Sequence, residues 1–177
     1  MSRYVALLRG INVGSANRMT MSDLRSVFET LGYLAVRTHL QSGNVVFDSA
    51  EGVDNAAVQN LENAIARSTG ANCRVTVLDY AHLRRIAAEN PLADAADPSR
   101  MIVTFIDPVP SESSLDRPSD AALFPERLIF GEHAIYQWCP EGVSKSRLPP
   151  RFFAALGATA TARNLRTVTR LVEMLDE

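Results

Sequence analysis

The turn at Gln41-Ser42-Gly43-Asn44 constrains the fold of this chain more than any other stretch. Residues 33–40 before it alternate as a strand, and residues 45–47 after it form an apolar returning strand. A connection this short allows only antiparallel pairing between the strands that it joins. Glycine at the third position also indicates a left-handed backbone conformation there. The turn therefore argues against a parallel sheet in this part of the chain.

The strands and helices predicted on either side of this turn follow one another in a known order. Residues 4–8 are mostly apolar, as in a central strand, and Thr20 is placed to cap a helix with a buried stripe of period 3.6. A second helix begins after Asp54 or Asn55 and ends before Gly70, and residues 73–77 alternate as a fourth strand. The order strand, helix, strand, strand, helix, strand predicts a ferredoxin-like subdomain with an antiparallel sheet over residues 1–79.

This topology places distant segments together. The first and second strands run parallel with the third between them, so the loop after the first strand and the turn after the second lie at one end of the sheet. We therefore expect residues 9–18 and 41–44 to be neighbours in space.

The second half of the chain predicts a smaller α+β subdomain over residues 80–177. Its pattern indicates a helix at 80–90, a strand at 101–106, a hairpin formed by 127–130 and 133–138, and a short helix at 151–156. A final helix is expected to begin near Thr161. Within it Arg163, Arg166 and Arg170 are spaced three and four residues apart and should share a face.

Composition excludes some functions and leaves others open. A formal net charge of −2 argues against a general nucleic-acid-binding protein, although a local basic patch stays possible. Two widely separated cysteines indicate free thiols in a reducing compartment. The chain shows neither a signal-peptide pattern nor an apolar run of membrane-spanning length. We expect a cytoplasmic protein with no membrane partner.

Strong catalytic signatures are absent from the sequence. It contains no P-loop, GxGxxG, HExxH, GxSxG or CxxC motif, and its three histidines fall on separate elements. The sequence thus predicts no metal site and no cofactor, assigns no catalytic residue, and leaves open whether the protein is an enzyme.

Four polar motifs carry a resemblance to a known family. They are Arg9-Gly10-Ile11-Asn12-Val13-Gly14, Gln41-Ser42-Gly43-Asn44, Asn90-Pro91, and Thr161-Ala162-Arg163-Asn164 followed by Thr167. In this order and spacing the chain resembles the domain-of-unknown-function family numbered 1697. The resemblance implies an α+β fold with a ferredoxin-like first subdomain, and it implies no assigned activity. Ser15-Ala16, His39, Leu165 and Arg166 depart from the residues common in the family.

The shared motifs are polar loops and an expected helix start, which more often serve a site than a core. The candidate ligand-binding residues that the resemblance implies are Arg9, Asn12, Ser42, Asn44, Arg163 and Asn164. Turns and a capped helix also need such residues for their own backbone, so a structural role remains the alternative.

Our leading hypothesis is a protein that binds an anionic, phosphate-bearing small molecule at the loop end of the first sheet, closed by the last helix. Arginine recognises phosphate in a bidentate manner, and glycine permits close approach of the backbone. An alternative is a nucleic-acid-binding module that uses the open sheet face, with Arg37, His39 and Arg74 on it. That module lacks the paired aromatic residues typical of RNA-recognition sheets. A further alternative is an enzyme acting on a phosphorylated metabolite.

Overall fold

A computed structural model describes residues 1–13, 17–92, 97–157 and 159–177. The chain divides into two compact units, Met1–Leu83 with Leu171–Glu177, and Arg84–Arg170. Each unit is described by itself below. The subdomain boundary predicted between residues 79 and 80 stays a prediction.

The first unit contains a four-stranded antiparallel sheet, sheet A, with the strand order β2-β3-β1-β4. Its strands are β1 (Ser2–Arg9), β2 (Leu34–His39), β3 (Asn44–Ser49) and β4 (Arg74–Asp79). Together with the helices α1 (Met21–Thr30) and α2 (Asn55–Thr69), they follow the order β-α-β-β-α-β. The predicted ferredoxin-like arrangement is confirmed.

Both helices of this unit begin and end where the sequence predicts. The hydroxyl of Thr20 accepts a hydrogen bond from a first-turn backbone N–H of α1, and the carboxylate of Asp54 does the same for α2. Such caps satisfy donors that have no partner inside the helix. Gly70 ends α2 in the left-handed conformation, which glycine adopts without steric cost.

One face of sheet A and the inner faces of both helices form the core of the first unit. Alternation along the strands sends every second side chain to this face. Its fully buried members include Ala6, Leu8, Val45, Phe47, Leu24, Phe28, Leu61 and Ile65. Burial of each large side chain contributes about 1.5–3 kcal/mol.

The other face of sheet A is covered in part by the C-terminal segment Leu171–Glu177, which belongs to the same unit. The guanidinium of Arg3 donates to the carbonyl of Leu175, and that of Arg37 donates to the carbonyl of Met174. Cations next to the last carbonyls of a helix are favourable because these oxygens carry partial negative charge. The two arginines therefore fix this segment on the sheet.

The second unit contains another antiparallel sheet, sheet B, with the order β6-β7-β5-β8. Its strands are β5 (Met101–Phe105), β6 (Arg127–Phe130), β7 (Ala134–Trp138) and β8 (Thr161–Asn164). The other α-helices among the described residues are α3 (Tyr80–Glu89), α4 (Asp120–Leu123), α5 (Pro150–Ala155) and α6 (Leu165–Asp176). An apolar cluster that includes Leu123, Leu128, Ile135, Leu148, Phe152 and Leu156 forms a core on one face of sheet B.

The expected start of the final helix is wrong. Thr161–Asn164 forms strand β8, which pairs with β5 in the register Phe105↔Thr161 to Ile102↔Asn164, and α6 begins only at Leu165. The strand forms because β5 supplies backbone partners that local sequence patterns do not reveal. Arg163 therefore lies on a strand and does not share a helix face with Arg166 and Arg170.

Candidate functional site

Three chain segments meet where β1 ends and β4 begins. The described residues are 9–13 and 17–20 of the first segment, 40–44 of the second and 71–74 of the third, and we call this region the loop end of sheet A. The side-chain amide of Asn12 donates to the carbonyl of Gln41 at 2.8 Å, and that of Asn17 donates to the carbonyl of Asn72 at 3.1 Å. The expectation that residues 9–18 and 41–44 are neighbours is confirmed for the described residues. Gly14, Ser15 and Ala16, part of that prediction, lie outside them.

Asn12 holds the loop after β1 in place. It has a left-handed backbone with φ +53°, its side-chain oxygen accepts from the Met19 N–H at 2.9 Å, and its amide also donates to the Met19 carbonyl at 3.1 Å. With the bond to Gln41, both amide protons of Asn12 are used. Asn12 therefore braces the loop, and its predicted contact with a ligand stays a prediction.

Asn17, which the sequence analysis missed, also holds this loop in place. Its backbone has φ +51°, and its amide bonds to the Gly10 carbonyl at 2.9 Å as well as to Asn72. The residue type could have indicated this role, because asparagine tolerates the left-handed region and its side chain bonds to nearby backbone groups. Together Asn12 and Asn17 fix the position at which Arg9 leaves the sheet.

The β2–β3 turn is fixed by Gly43 and Asn44. Gly43 has φ +77°, as predicted, and a Cβ atom there would lie 2.5 Å from the side chain of Ile11. The fully buried Asn44 amide donates to the His39 carbonyl at 2.8 Å and to the Ser42 hydroxyl at 3.1 Å. Asn44 thus organises the turn, while Ser42 is exposed at its tip.

Two arginines lie directly opposite each other at this end of the sheet. The register of β1 and β4 pairs Arg9 with Arg74, and both residues are exposed. Arg74 forms an ion pair with Glu62 on α2 at 3.0 Å, and the other carboxylate oxygen of Glu62 accepts from the Val75 N–H at 2.8 Å. Like charges directly opposite on paired strands are destabilising. The pair therefore concentrates positive charge at the loop end.

Polar side chains follow on the same face of sheet A. Leu7, two residues before Arg9, is paired with Asn44 on one side and Thr76 on the other. Asn44 is in turn opposite His39 of β2. Alternation along each strand therefore directs Arg9, Asn44, Thr76 and His39 to one face. Polar side chains therefore occupy the positions next to the arginine pair on this face of the sheet.

A cavity of about 480 Å³ opens at the loop end. Its lining residues are Asn12, Arg18, Met19, Thr20, Asp23 and Gln41. The Thr20 hydroxyl donates to a carboxylate oxygen of Asp23 at 2.7 Å, and Met19 is buried. The volume falls in the range of about 300–1,000 Å³ that is typical of small-molecule sites.

The two remaining candidates belong to the second unit. Asn164 accepts the Thr167 N–H at 2.9 Å with its side-chain oxygen and so caps α6. The Arg163 guanidinium donates to the Ala162 carbonyl at 2.8 Å, and burial lowers its pKa to about 10. Their predicted ligand contacts stay predictions.

The nucleic-acid alternative places Arg37 on an open sheet face. In the structure Arg37 bonds to the Met174 carbonyl and forms an ion pair with Glu177 at 2.5 Å. This part of the face is therefore occupied by the C-terminal segment. A second cavity of about 450 Å³ lies beside it, with Arg3, Arg37, Glu29 and Asp48 among its lining residues.

Two other ionisable groups, Glu126 and Cys73, are buried or half-buried. The buried Glu126 carboxylate accepts from the Ser146 hydroxyl at 2.8 Å and from the Arg147 N–H at 2.6 Å. Burial, together with the Glu62 charge, raises the pKa of Cys73 to about 11, so this thiol is protonated at neutral pH. Across residues 1–13, 17–92, 97–157 and 159–177, no group of three metal-ligating side chains occurs.

Comparisons with known proteins agree on family and fold. A family model described as protein of unknown function (DUF1697) matches residues 1–136. The structure is similar to that of a conserved bacterial protein from Streptococcus pneumoniae, with a TM-score of 0.73, 25% identity and coverage of 98% of each chain. No curated protein matches the chain. Among the described helices, none is both long and apolar enough to span a bilayer.

Proposed function

Since this chain belongs to the family of proteins of unknown function DUF1697, we propose a function from its own geometry: it binds an anionic, phosphate-bearing small molecule at the loop end of sheet A. The observation that carries this proposal is the register pairing of Arg9 with Arg74. Residues opposite each other on antiparallel strands have Cβ atoms about 4.5–5.5 Å apart. Side chains that leave the sheet at that spacing are long enough to bring both guanidinium groups within reach of one oxyanion.

Phosphate suits this arrangement for two reasons. A guanidinium binds phosphate through two parallel N–H···O bonds, which are stronger than bonds between neutral groups. An anion placed between Arg9 and Arg74 also offsets the repulsion between them. Glu62 offsets this repulsion only weakly, because its partner Arg74 has a side chain that is 65% exposed, and exposed ion pairs contribute about 0–1 kcal/mol.

Ser42 supports the proposal from the neighbouring turn. Ser42 is exposed at the tip of the turn, and its hydroxyl accepts from the Asn44 amide, which fixes the position of the hydroxyl at the loop end. Arg9 and Ser42 thus act as ligand contacts, and Asn12 and Asn44 act by fixing the segments that carry them. The two free cysteines favour a reducing compartment, and we propose the cytoplasm as the location.

The test is calorimetric titration at low ionic strength with inorganic phosphate, methyl phosphate and pyrophosphate. Arg9→Gln removes one guanidinium and keeps a polar side chain of similar length. We expect it to weaken binding at least about tenfold, which corresponds to about 1.4 kcal/mol. Arg9→Lys should give an intermediate affinity because it keeps the charge and loses the bidentate geometry.

Arg127→Gln is the matched control, because Arg127 is an exposed arginine at the start of a strand in sheet B. It should bind all three anions as the wild type does. Equal affinities for wild type, Arg9→Gln and Arg127→Gln would contradict the proposal.

A further inference from the structure

The cavity at the loop end is a second candidate site, separate from the arginine pair. We propose that it binds a small zwitterion, a molecule that carries both an ammonium and a carboxylate group, as free amino acids and short peptides do. This inference goes beyond the proposed function and does not depend on it, because the described lining of the cavity includes neither Arg9 nor Arg74.

Two opposite charges line this cavity without pairing with each other. The exposed Arg18 guanidinium has no hydrogen bond or ion pair with any other described residue. Asp23 accepts from the Thr20 hydroxyl through Oδ2 at 2.7 Å, and its other oxygen, Oδ1, has no partner within the described chain. A carboxylate has about four lone-pair positions, so Asp23 has capacity for further donors. A cation and an anion with unused capacity in one cavity are complementary to a ligand that carries both charges.

The arginines of the other cavity of this unit differ from Arg18 in this respect. Arg37 donates to the Met174 carbonyl and forms an ion pair with Glu177, and Arg3 donates to the carbonyl of Leu175. Both of these guanidinium groups therefore have acceptors within the chain. Arg18 keeps its donors for a ligand, and a guanidinium binds a carboxylate through two parallel N–H···O bonds.

The rest of the lining suits the body of such a ligand. Gln41 uses its backbone carbonyl to accept from the Asn12 amide, while its side-chain amide has no partner among the described residues and can both donate and accept. Buried Met19 adds an apolar surface for a ligand side chain. The volume of about 480 Å³ is typical of small-molecule sites. An amino acid with an apolar side chain, such as leucine, therefore matches both the charges and the apolar surface.

Calorimetric titration at low ionic strength with L-leucine, N-acetyl-L-leucine, isoamylamine and leucylleucine tests this inference. N-acetyl-L-leucine lacks the ammonium group of leucine, and isoamylamine lacks its carboxylate. We expect each of these two analogues to bind at least about tenfold more weakly than L-leucine. Leucylleucine carries the same two charges farther apart, so the tighter ligand of leucine and leucylleucine distinguishes a free amino acid from a short peptide.

Two conservative variants assign the charges. Arg18→Gln should weaken leucine at least about tenfold and leave isoamylamine unchanged, because isoamylamine has no carboxylate for Arg18 to bind. Asp23→Asn should weaken leucine by a similar factor and leave N-acetyl-L-leucine unchanged, because this analogue has no ammonium group. Arg18 is exposed, so its replacement does not disturb the core if the Asp23 variant weakens the start of α1.

Arg25→Gln, on an exposed arginine of α1 outside the described lining, and Arg9→Gln, from the arginine pair, are the controls and should bind leucine as the wild type does. Failure of both leucine and leucylleucine to bind would overturn the inference, as would equal affinities for leucine and its two analogues. Leucine binding that is insensitive to Arg18→Gln and Asp23→Asn, or lost in Arg9→Gln, would also overturn it. None of these results decides whether phosphate binds at Arg9 and Arg74, so the proposed function is tested separately.

Discussion

Strand β1 carries an arginine near each end, and the two arginines have opposite surroundings. Arg3 is opposite Asp48 on β3, and its guanidinium donates to a carbonyl at the end of α6. Arg9 is opposite Arg74 on β4. In this register Arg3 lies opposite an anion, while Arg9 lies opposite a second cation. We propose that this difference in cross-strand charge separates an arginine that supports the fold from one that is suited to an external anion.

The largest expected effect concerns the turn that supports the loop end. Gly43→Ala places a Cβ atom 2.5 Å from Ile11 and 2.8 Å from Leu8, in a backbone with φ +77°. Left-handed strain of about 1–2 kcal/mol and overpacking of about 1–3 kcal/mol should together lower the free energy of unfolding by about 2–5 kcal/mol. Urea denaturation measures the change.

Gly32→Ala is the control for this substitution. Gly32 has φ +87°, and a Cβ atom there has no neighbour within 4 Å. Only the conformational cost of about 1–2 kcal/mol applies. Equal losses for the two variants would show that close packing of the turn against β1 does not hold the loop end.

The second largest effect is the difference in stability between variants of Arg37 and Arg9. Arg37→Gln removes a charged hydrogen bond to the Met174 carbonyl and should lower the free energy of unfolding by about 1–3 kcal/mol. Its ion pair with Glu177 adds little, because the two side chains are 42% and 50% exposed. Arg9→Gln should lower the free energy of unfolding by less than Arg37→Gln does, because Arg9 is exposed and its substitution also relieves the repulsion with Arg74.

Chemical denaturation of both variants in phosphate-free buffer gives the two values. A loss of stability in Arg9→Gln as large as that in Arg37→Gln would place Arg9 among the structural arginines. The contrast between Arg9 and the arginines that hold the C-terminal segment would then fail.

The smallest effect uses Cys73 as a reporter of charge next to Arg74. Burial first, and the Glu62 carboxylate second, raise the pKa of this thiol from 9.0 to about 11, while Arg74 lowers it. The thiolate fraction at pH 8 is therefore small, and it grows as the pH approaches 11. Glu62→Gln removes one raising contribution, so the pKa of Cys73 should fall and alkylation at pH 8 should accelerate.

Iodoacetamide labelling followed by mass spectrometry measures this rate for Cys73, with Cys139 as an internal control. Burial, together with the charge of Glu126, raises the pKa of Cys139 to about 12. Glu62 does not contribute to this pKa, so Glu62→Gln should leave the alkylation rate of Cys139 unchanged. An unchanged rate at Cys73 would mean that Glu62 does not set the local potential around Arg74.

The sequence predicted the fold more completely than the site. Alternation, helix stripes and the turn at Gly43 are local signals, and they place the first six elements correctly. The start of α6 was mispredicted because Thr161–Asn164 depends on pairing with β5, which lies about sixty residues earlier in the chain.

The candidate residues were identified by type and position, and their roles depend on contacts that the sequence does not encode locally. Asn12, Asn44 and Asn164 each use side-chain atoms to hold the backbone. The opposition of Arg9 and Arg74 follows from the register between two strands that are separated by the whole of the intervening subdomain. Such a register is set by core packing, so sequence patterns did not reveal this pair.

The central claim is that the loop end of sheet A binds an oxyanion. The most direct test is a two-dimensional amide NMR titration of the wild-type protein with inorganic phosphate at constant ionic strength. We predict saturable shifts confined to residues 9–13, 41–44 and 72–76, and their loss in Arg9→Gln. Saturable shifts elsewhere in the chain, or no saturable shifts at the loop end, would contradict the account.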